Sequence, residues 1–406
     1  MRTSENYINF QDGILWLHKL SNYGGCVVLL EDMCGMFGLL CFGIVFLILL
    51  VYFSVVVKNE RKHRHVPHSS FSEDSYSGPL KCKMTFDKNK GHDVNDGLRS
   101  LPHSVTHLAV IMDGNRRYGR ERYRQFENST PIEEIQSFCK RISTEVSEVN
   151  NVIISDNTPH LSRTWFNDRY TKLSRLIKNT FFDGHRLGGE KLIEFVKDCI
   201  EARIAMLTVY AFSTDNWNRP VVELNVLMTL FFLFFGKIRS TTYKYGIFIR
   251  FVSTEPGKLP IHVLKMMESL ECDSRLISPR RITVNICVSY SGQSEMVTAF
   301  NRIFQRRLSS GDTREISKDE ISAEMLQSIT QANHEEEDKK VFTNSVPREP
   351  QLILRTSGEQ RISDFLLYEC AYSEFEFISK KWPEITRMDL KEALLKYFKR
   401  DRRLGR

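Results

Sequence analysis

Residues 107–117 read HLAVIMDGNRR. The first six, His107 to Met112, are an apolar run with little alternation, the pattern of a strand buried on both faces of a parallel sheet. The run ends abruptly in Asp113, Gly114, Asn115, Arg116 and Arg117. Three more runs follow the same plan. Leu207 to Phe212 precedes Ser213-Thr214-Asp215-Asn216-Trp217-Asn218-Arg219-Pro220, and Ile282 to Val288 precedes Ser289-Tyr290-Ser291-Gly292. Leu352 to Leu354 precedes Arg355-Thr356-Ser357-Gly358-Glu359-Gln360-Arg361. Helical patterns cover about 186–201, 221–243, 293–308, 319–333 and 387–400, and two further apolar runs, Phe248 to Val252 and Phe375 to Ile378, add strands. The class is therefore α/β, with roughly six strands in a mainly parallel sheet flanked by helices. Ligands in such sheets bind at the carboxyl ends of the strands, so the four polar clusters are expected to converge.

Arg116, Arg117, Arg219, Arg355 and Arg361 exceed what one carboxylate ligand needs. Guanidinium forks match phosphate oxygens, and a diphosphate, or two, is the natural guest. Asp113 is the lone acid of its cluster. It suits Mg²⁺, which takes few protein carboxylates and completes its shell with substrate phosphates. A helix starting after Asn115 would aim its N–H groups at the same anion. The segment from Val221 to about Tyr243 is apolar nearly all round over two turns. That fits plain core and equally the wall of a tunnel for an amphiphilic substrate.

Outward from this body, residues 33–57 carry no charged side chain and are long enough to cross a bilayer as one helix. Lys58, Arg61, Lys62 and Arg64 follow it, against Arg2 and Lys19 before it, which places the C-terminal bulk in the cytosol. Residues 1–32 are then a luminal tail, 58–103 a flexible linker without periodicity, and 104–406 the catalytic domain, with an insertion at about 124–182 expected to be a surface excursion. Nine cysteines without a CxxC pair argue against a disulfide scaffold or zinc ribbon. A net charge of +7 over 406 residues falls short of the dense basic character of a nucleic-acid binder.

HLAVIMDGNRRYGRERY (107–123), DGHRLGGEKL (183–192), LTVYAFSTDNWNRP (207–220), VNICVSYSG (284–292), RTSGEQRISDFLLYECAYSEFEF (355–377) and RDRRLGR (400–406) stand in one order along the chain. Together they resemble the cis-prenyltransferases, the family of undecaprenyl and dehydrodolichyl diphosphate synthases. The resemblance implies an enzyme that extends an allylic, farnesyl-type diphosphate with isopentenyl diphosphate. It makes Asp113 and Glu374 the Mg²⁺ carboxylates. It assigns Gly114, Asn115, Arg116, Arg117 and Arg219 to the allylic diphosphate, with Trp217 among the substrate-binding residues, and Arg355, Arg361 and Ser363 to isopentenyl diphosphate. Asn216 and Ser213 assist proton removal, His185 lies beside the departing diphosphate, and Arg403 and Gly405 complete a partner subunit's site. A homodimer on the endoplasmic reticulum membrane, feeding dolichol synthesis, follows from the anchor and the resemblance together.

Two departures stand out. The family's arginine ahead of Gly184-His185 is missing, positions 179–182 reading Asn-Thr-Phe-Phe, with Arg175 and Lys178 the nearest basic residues before them. Asp215 replaces the usual glutamate. A non-catalytic anchoring subunit would be expected to lack Asp113 or the Arg355/Arg361 pair, and both are present. A dinucleotide-binding oxidoreductase needs GxGxxG after its first strand, and none follows Met112.

Overall fold

The computed structural model describes residues 97–99, 101, 105–129, 132–155, 161–178, 180–330, 341 and 346–401. The expected membrane span, the luminal tail, most of the linker, Arg403 and Gly405 lie outside the described residues.

In chain order the elements are β1 (His107–Ile111), α1 (Asn115–Ser129), α2 (Ile132–Ser155), α3 (Arg163–Ile177), α4 (Asp183–Glu201), β2 (Met206–Ser213) and α5 (Val221–Tyr245). There follow β3 (Ile247–Val252), α6 (Ile261–Arg275), β4 (Ile282–Tyr290), α7 (Gly292–Ser310), α8 (Lys318–Glu324), β5 (Leu352–Arg355), β6 (Glu374–Phe377) and α9 (Arg387–Lys399). The strands form one six-stranded sheet in the order β3-β4-β2-β1-β5-β6, every pairing parallel. β1 lies between β2 and β5, so the chain leaves it toward one edge of the sheet first and the other later. That reversal opens a crevice above the carboxyl end of β1.

The unalternating runs have a specific cause. β1, β3, β4 and β5 are buried along their whole length. One face carries Leu108, Val110, Leu207, Val209, Val284 and Ile286 into the main core beneath the helices. The other face buries a polar layer among a smaller apolar set. His107 Nε2 meets Thr208 Oγ1 at 2.8 Å, Asn285 donates to the same hydroxyl at 2.9 Å, and Arg250 donates to Asn285 Oδ1 at 2.9 Å and to the Leu326 carbonyl at 3.1 Å. Buried polar groups are tolerable when so paired. His107 Nδ1 lies 2.9 Å from the Pro347 carbonyl. Burial, above all, pushes the His107 imidazole down to about 4, against its ordinary 6.5, so it is neutral and keeps its Nδ1 proton on that carbonyl.

The inserted segment is not a surface excursion. Within it α3 packs along α5, burying Phe166, Tyr170, Leu173 and Ile177. Phe166 occupies a notch that only a glycine provides: a Cβ on Gly236 would lie 2.3 Å from its ring. A second departure is local. The helix expected over 319–333 stops at Glu324, because Glu295 Oε1 accepts the Leu326 N–H at 2.7 Å and Ile329 donates to the Phe251 carbonyl at 2.9 Å. The chain there runs along the sheet instead.

Candidate active site

At the end of β1 the backbone turns through Gly114 at φ +97°, a conformation that favours glycine, and α1 begins at Asn115. The free N–H groups of the first turn of α1 thus face the crevice. Asp113 is held from both sides: Oδ1 accepts from the Gly114 N–H at 2.6 Å and Oδ2 from Arg355 at 2.9 Å. Arg355 is buried and also donates to Ser363 Oγ at 2.8 Å and to the Arg361 carbonyl. The carboxyl ends of β1 and β5 are therefore clamped by one charge-assisted contact. Arg117 lies 3.4 Å from Asp113 and 3.1 Å from Glu359, and Glu359 in turn pairs with Arg361 at 2.6 Å. Arg361 is 62% exposed at its side chain and stands at the rim.

Across the crevice a second cluster gathers around Glu223, whose side chain is 2% exposed. Arg116 approaches it at 3.0 Å, Arg219 at 3.3 Å and His185 Nε2 at 3.8 Å. The histidine contact is not an ion pair. Burial first, then the positive charges of Arg219 and Arg116, lower the His185 pKa to about 3, so the ring is neutral. Its Nε2 is buried without a hydrogen-bond partner among the described residues, as is Asn115 Oδ1. A buried imidazole nitrogen left open beside Arg116 and Arg219 is a place for a ligand's polar atom.

Between the clusters opens a cavity of about 540 Å³. Asp113, Gly114, Asn115, Arg116, Arg117, His185, Ser213, Asn216, Arg219, Arg355 and Ser363 line it, as the sequence led one to expect. Its far part is apolar, walled by Leu192 of α4 and by Leu227, Leu230, Phe231, Phe234 and Phe235 of α5. The greasy helix is thus both core and channel wall.

Three expected residues do not line the cavity: Arg361, which stays at the exposed rim, Trp217 and Glu374. Trp217 donates its indole N–H to Ser289 Oγ at 2.9 Å and stacks edge-on against Phe212 with ring centroids 4.9 Å apart. It supports the turn bearing Asn216 and Arg219 from behind. Glu374 pairs with Leu352 at the start of β5, whereas Arg355 ends that strand, and Arg400 holds its carboxylate at 2.7 Å. A strand's length separates it from the clamp. Asp113 and Asp215 are the carboxylates that line the cavity, and Asp113, beside the first turn of α1 and Arg355, is the one placed to hold Mg²⁺. One carboxylate with open lone pairs, opposite cationic sites for phosphate oxygens, fits that ion. Among the described residues no group of three or more His, Cys, Asp or Glu forms a self-sufficient metal cage.

Sequence reasoning missed Glu223, although its spacing from Arg219, one helical turn on, was a readable signal. It also missed Tyr170 of α3, which lines the cavity from within the insertion. Neither Arg175 nor Lys178 does so, whereas Arg120 of α1 does.

A family model described as putative undecaprenyl diphosphate synthase matches residues 167–405. The chain belongs to this family. As a cis-prenyltransferase it is an enzyme that makes polyprenyl diphosphate. It is 29% identical to an isoprenyl transferase of Clostridium acetobutylicum over 79% of this chain and 95% of that one. It is 30% identical to a ditrans,polycis-undecaprenyl-diphosphate synthase ((2E,6E)-farnesyl-diphosphate specific) of Legionella pneumophila, over 55% and 86% of the two chains. The cis-prenyltransferase fold is also that of a lavandulyl diphosphate synthase from Lavandula x intermedia, solved with dimethylallyl diphosphate, at a TM-score of 0.53 and 20% identity over 74% and 98% of the chains.

Proposed function

We propose that this enzyme condenses isopentenyl diphosphate units onto an allylic diphosphate of the farnesyl type, with Mg²⁺, and that its product is a long-chain precursor of dolichol. The observation that carries this reading is the pairing of two cationic clusters, one on Asp113 and Arg355 and one on Glu223, at the head of a single apolar channel. Two diphosphates and one hydrocarbon tail need that arrangement.

The allylic diphosphate rests against Arg116, Arg219 and the first turn of α1, its tail running along α5. These groups gain interaction energy as negative charge builds on the departing diphosphate. Arg355 and Ser363 hold isopentenyl diphosphate on the opposite side, with Arg117 and Arg361 at the rim. The isopentenyl double bond supplies the electron pair for the new carbon–carbon bond, and diphosphate leaves with the old pair. The proton lost from the adjacent carbon passes to an oxygen of the departed diphosphate as a double bond is restored. Asn216 and Ser213 stand at that end of β2, and Asn216 Oδ1 is oriented by the Ser213 N–H at 3.3 Å. Asp113 would hold Mg²⁺, which supplies charge neutralisation to the diphosphate. The neutral His185 donates or accepts without adding charge beside the leaving group. The apolar walls keep water from the allylic carbon.

A homodimer is supported by the exposed stripe of Val297, Phe300, Phe304 and Leu308 on α7, four apolar side chains at helical spacing. The charge-free residues 33–57 and the basic residues behind them support a single-pass anchor in the endoplasmic reticulum membrane, with the catalytic domain in the cytosol. The test is the purified full-length chain with farnesyl diphosphate, labelled isopentenyl diphosphate and Mg²⁺, and no second protein. Polymer is expected, and Asp113→Ala should abolish it with the melting temperature little changed. Undiminished turnover in that variant overturns the assignment of Asp113. No polymer from the wild type overturns the self-sufficient enzyme in favour of a subunit that needs a partner.

A further inference from the structure

The apolar channel is short for an enzyme that keeps adding units. At ~30 Å³ per heavy atom, the share of a water molecule in the liquid, about 540 Å³ holds roughly 18 such atoms. A farnesyl tail with part of its diphosphate fills that space. Growth beyond the first additions therefore depends on what stands at the far wall.

That wall includes a side chain from the inserted segment. Tyr170 of α3 lines the cavity and lies against Phe234 of α5, ring centroids 6.4 Å apart. Phe234 comes eleven residues after Glu223, about 16 Å along the helix from the diphosphate end at 1.5 Å per residue. Opposite, α4 presents Gly189, which lines the cavity with no side chain of its own; a Cβ there would lie 3.3 Å from the Phe234 ring. The gap between α4 and α5 is thus closed by α3. The Tyr170 ring is flanked by charge: Lys237 Nζ lies 4.0 Å above it, and its hydroxyl reaches toward Glu190 at 3.4 Å, which Arg186, another residue lining the cavity, holds at 3.0 Å. An apolar chain that pushed past the ring would have to enter this set of charges, and burying them beside hydrocarbon is costly.

We propose that Tyr170 is a specificity-determining residue: carried in by the insertion, its ring closes the α4–α5 side of the channel and sets the length of the polyprenyl product. The proposal rests on the elongating activity stated above. Removing the ring frees seven heavy atoms, about 200 Å³ on the same volume scale, which is room for at least one further five-carbon unit.

The experiment compares products of the full-length wild type, Tyr170→Ala, Tyr170→Phe and Tyr170→Trp, made from farnesyl diphosphate and isopentenyl diphosphate and resolved by mass spectrometry, with melting curves for each. The main product of Tyr170→Ala should lengthen by one unit or more, that of Tyr170→Phe should match the wild type, and that of Tyr170→Trp should shorten. An unchanged or shorter main product from a folded Tyr170→Ala overturns the proposal. If that variant does not fold, an unshortened Tyr170→Trp overturns it. A wild type that yields no polymer instead sinks the elongating activity itself, and the two failures are thereby told apart.

Discussion

Replacing Gly184 by alanine should cripple the enzyme although the residue touches no ligand. Gly184 stands where α4 crosses α1. A Cβ built there would lie 1.9 Å from the Asn115 carbonyl oxygen and 2.9 Å from the Gly119 nitrogen, both backbone atoms. The crossing is reciprocal, since a Cβ on Gly119 would lie 2.0 Å from the Phe181 carbonyl oxygen. Carbon–oxygen approaches in packed helices stop at about 3.3 Å. The helices must therefore part by roughly 1.4 Å, and no side-chain rotation can relieve the clash. Overpacking of this kind costs about 1–3 kcal/mol, and immovable backbone on both sides places it toward the upper end. Asn115 and Arg116 open α1 and His185 adjoins Gly184, so Arg116 and His185, which meet at Glu223, are drawn apart by that same distance. A misplacement of ~1 Å is worth about 100-fold in rate. Steady-state elongation with labelled isopentenyl diphosphate and a thermal melt should show both losses. Gly257→Ala is the control, because nothing lies within 4 Å of its new carbon. If Gly184→Ala keeps more than half of wild-type turnover, the tight crossing is not what positions Asn115 against His185.

Three further outcomes can be checked. Phe166→Ala should destabilise the fold by about 3–5 kcal/mol, the range for an aromatic removed from a core, and a loss below about 1 kcal/mol would return the insertion to the surface. His107 and His185 both have folded-state pKa values below 6.5, so the unfolded chain takes up protons first on acidification. Their contribution is complete above about pH 6.5 and is lost as the pH falls toward 4 and 3, by about 2 kcal/mol per group at pH 5. The melting temperature should thus drop between pH 7 and 5, and less steeply in His107→Asn; an equal slope in the variant would contradict this. Phe304→Glu, in the exposed stripe of α7, should convert dimer to monomer in sedimentation, whereas a persistent dimer puts the interface elsewhere.

The sheet was legible in the sequence because four of its strands are continuously buried, and parallel pairing carried three of the four polar clusters to the cavity. The fourth, after β4, turns its Ser289 to Trp217 and its Ser291 to Asp364 instead of lining it. What escaped reading depended on contacts between distant segments. α3 became core only because Gly236 leaves a notch for Phe166, and nothing in residues 163–177 alone announces a glycine on another helix. The resemblance implied Trp217 as a ligand contact, but the left-handed turn at Ser289 offers its hydroxyl to the indole and draws the ring behind the site. Glu374 failed for a matter of register: its place opposite Leu352 puts it at the wrong end of β5. The i,i+4 spacing of Arg219 and Glu223 was readable, but that Arg116 and His185 would gather on the same carboxylate depends on α1 and α4, which the spacing does not show.

The hydrogen-bonded quartet of His107, Thr208, Asn285 and Arg250 acts as a vernier for the strands above it. Greasy side chains alone would tolerate a neighbouring strand sliding by two positions, because valine against leucine packs nearly as well as leucine against valine. A slip here strands a guanidinium or an amide without its mate, and a slip by one turns it toward the oily layer. The spacing between the tip of β1, where Asp113 and Arg116 follow, and the turn after β2, where Arg219 stands, is therefore kept by groups that never meet the substrate.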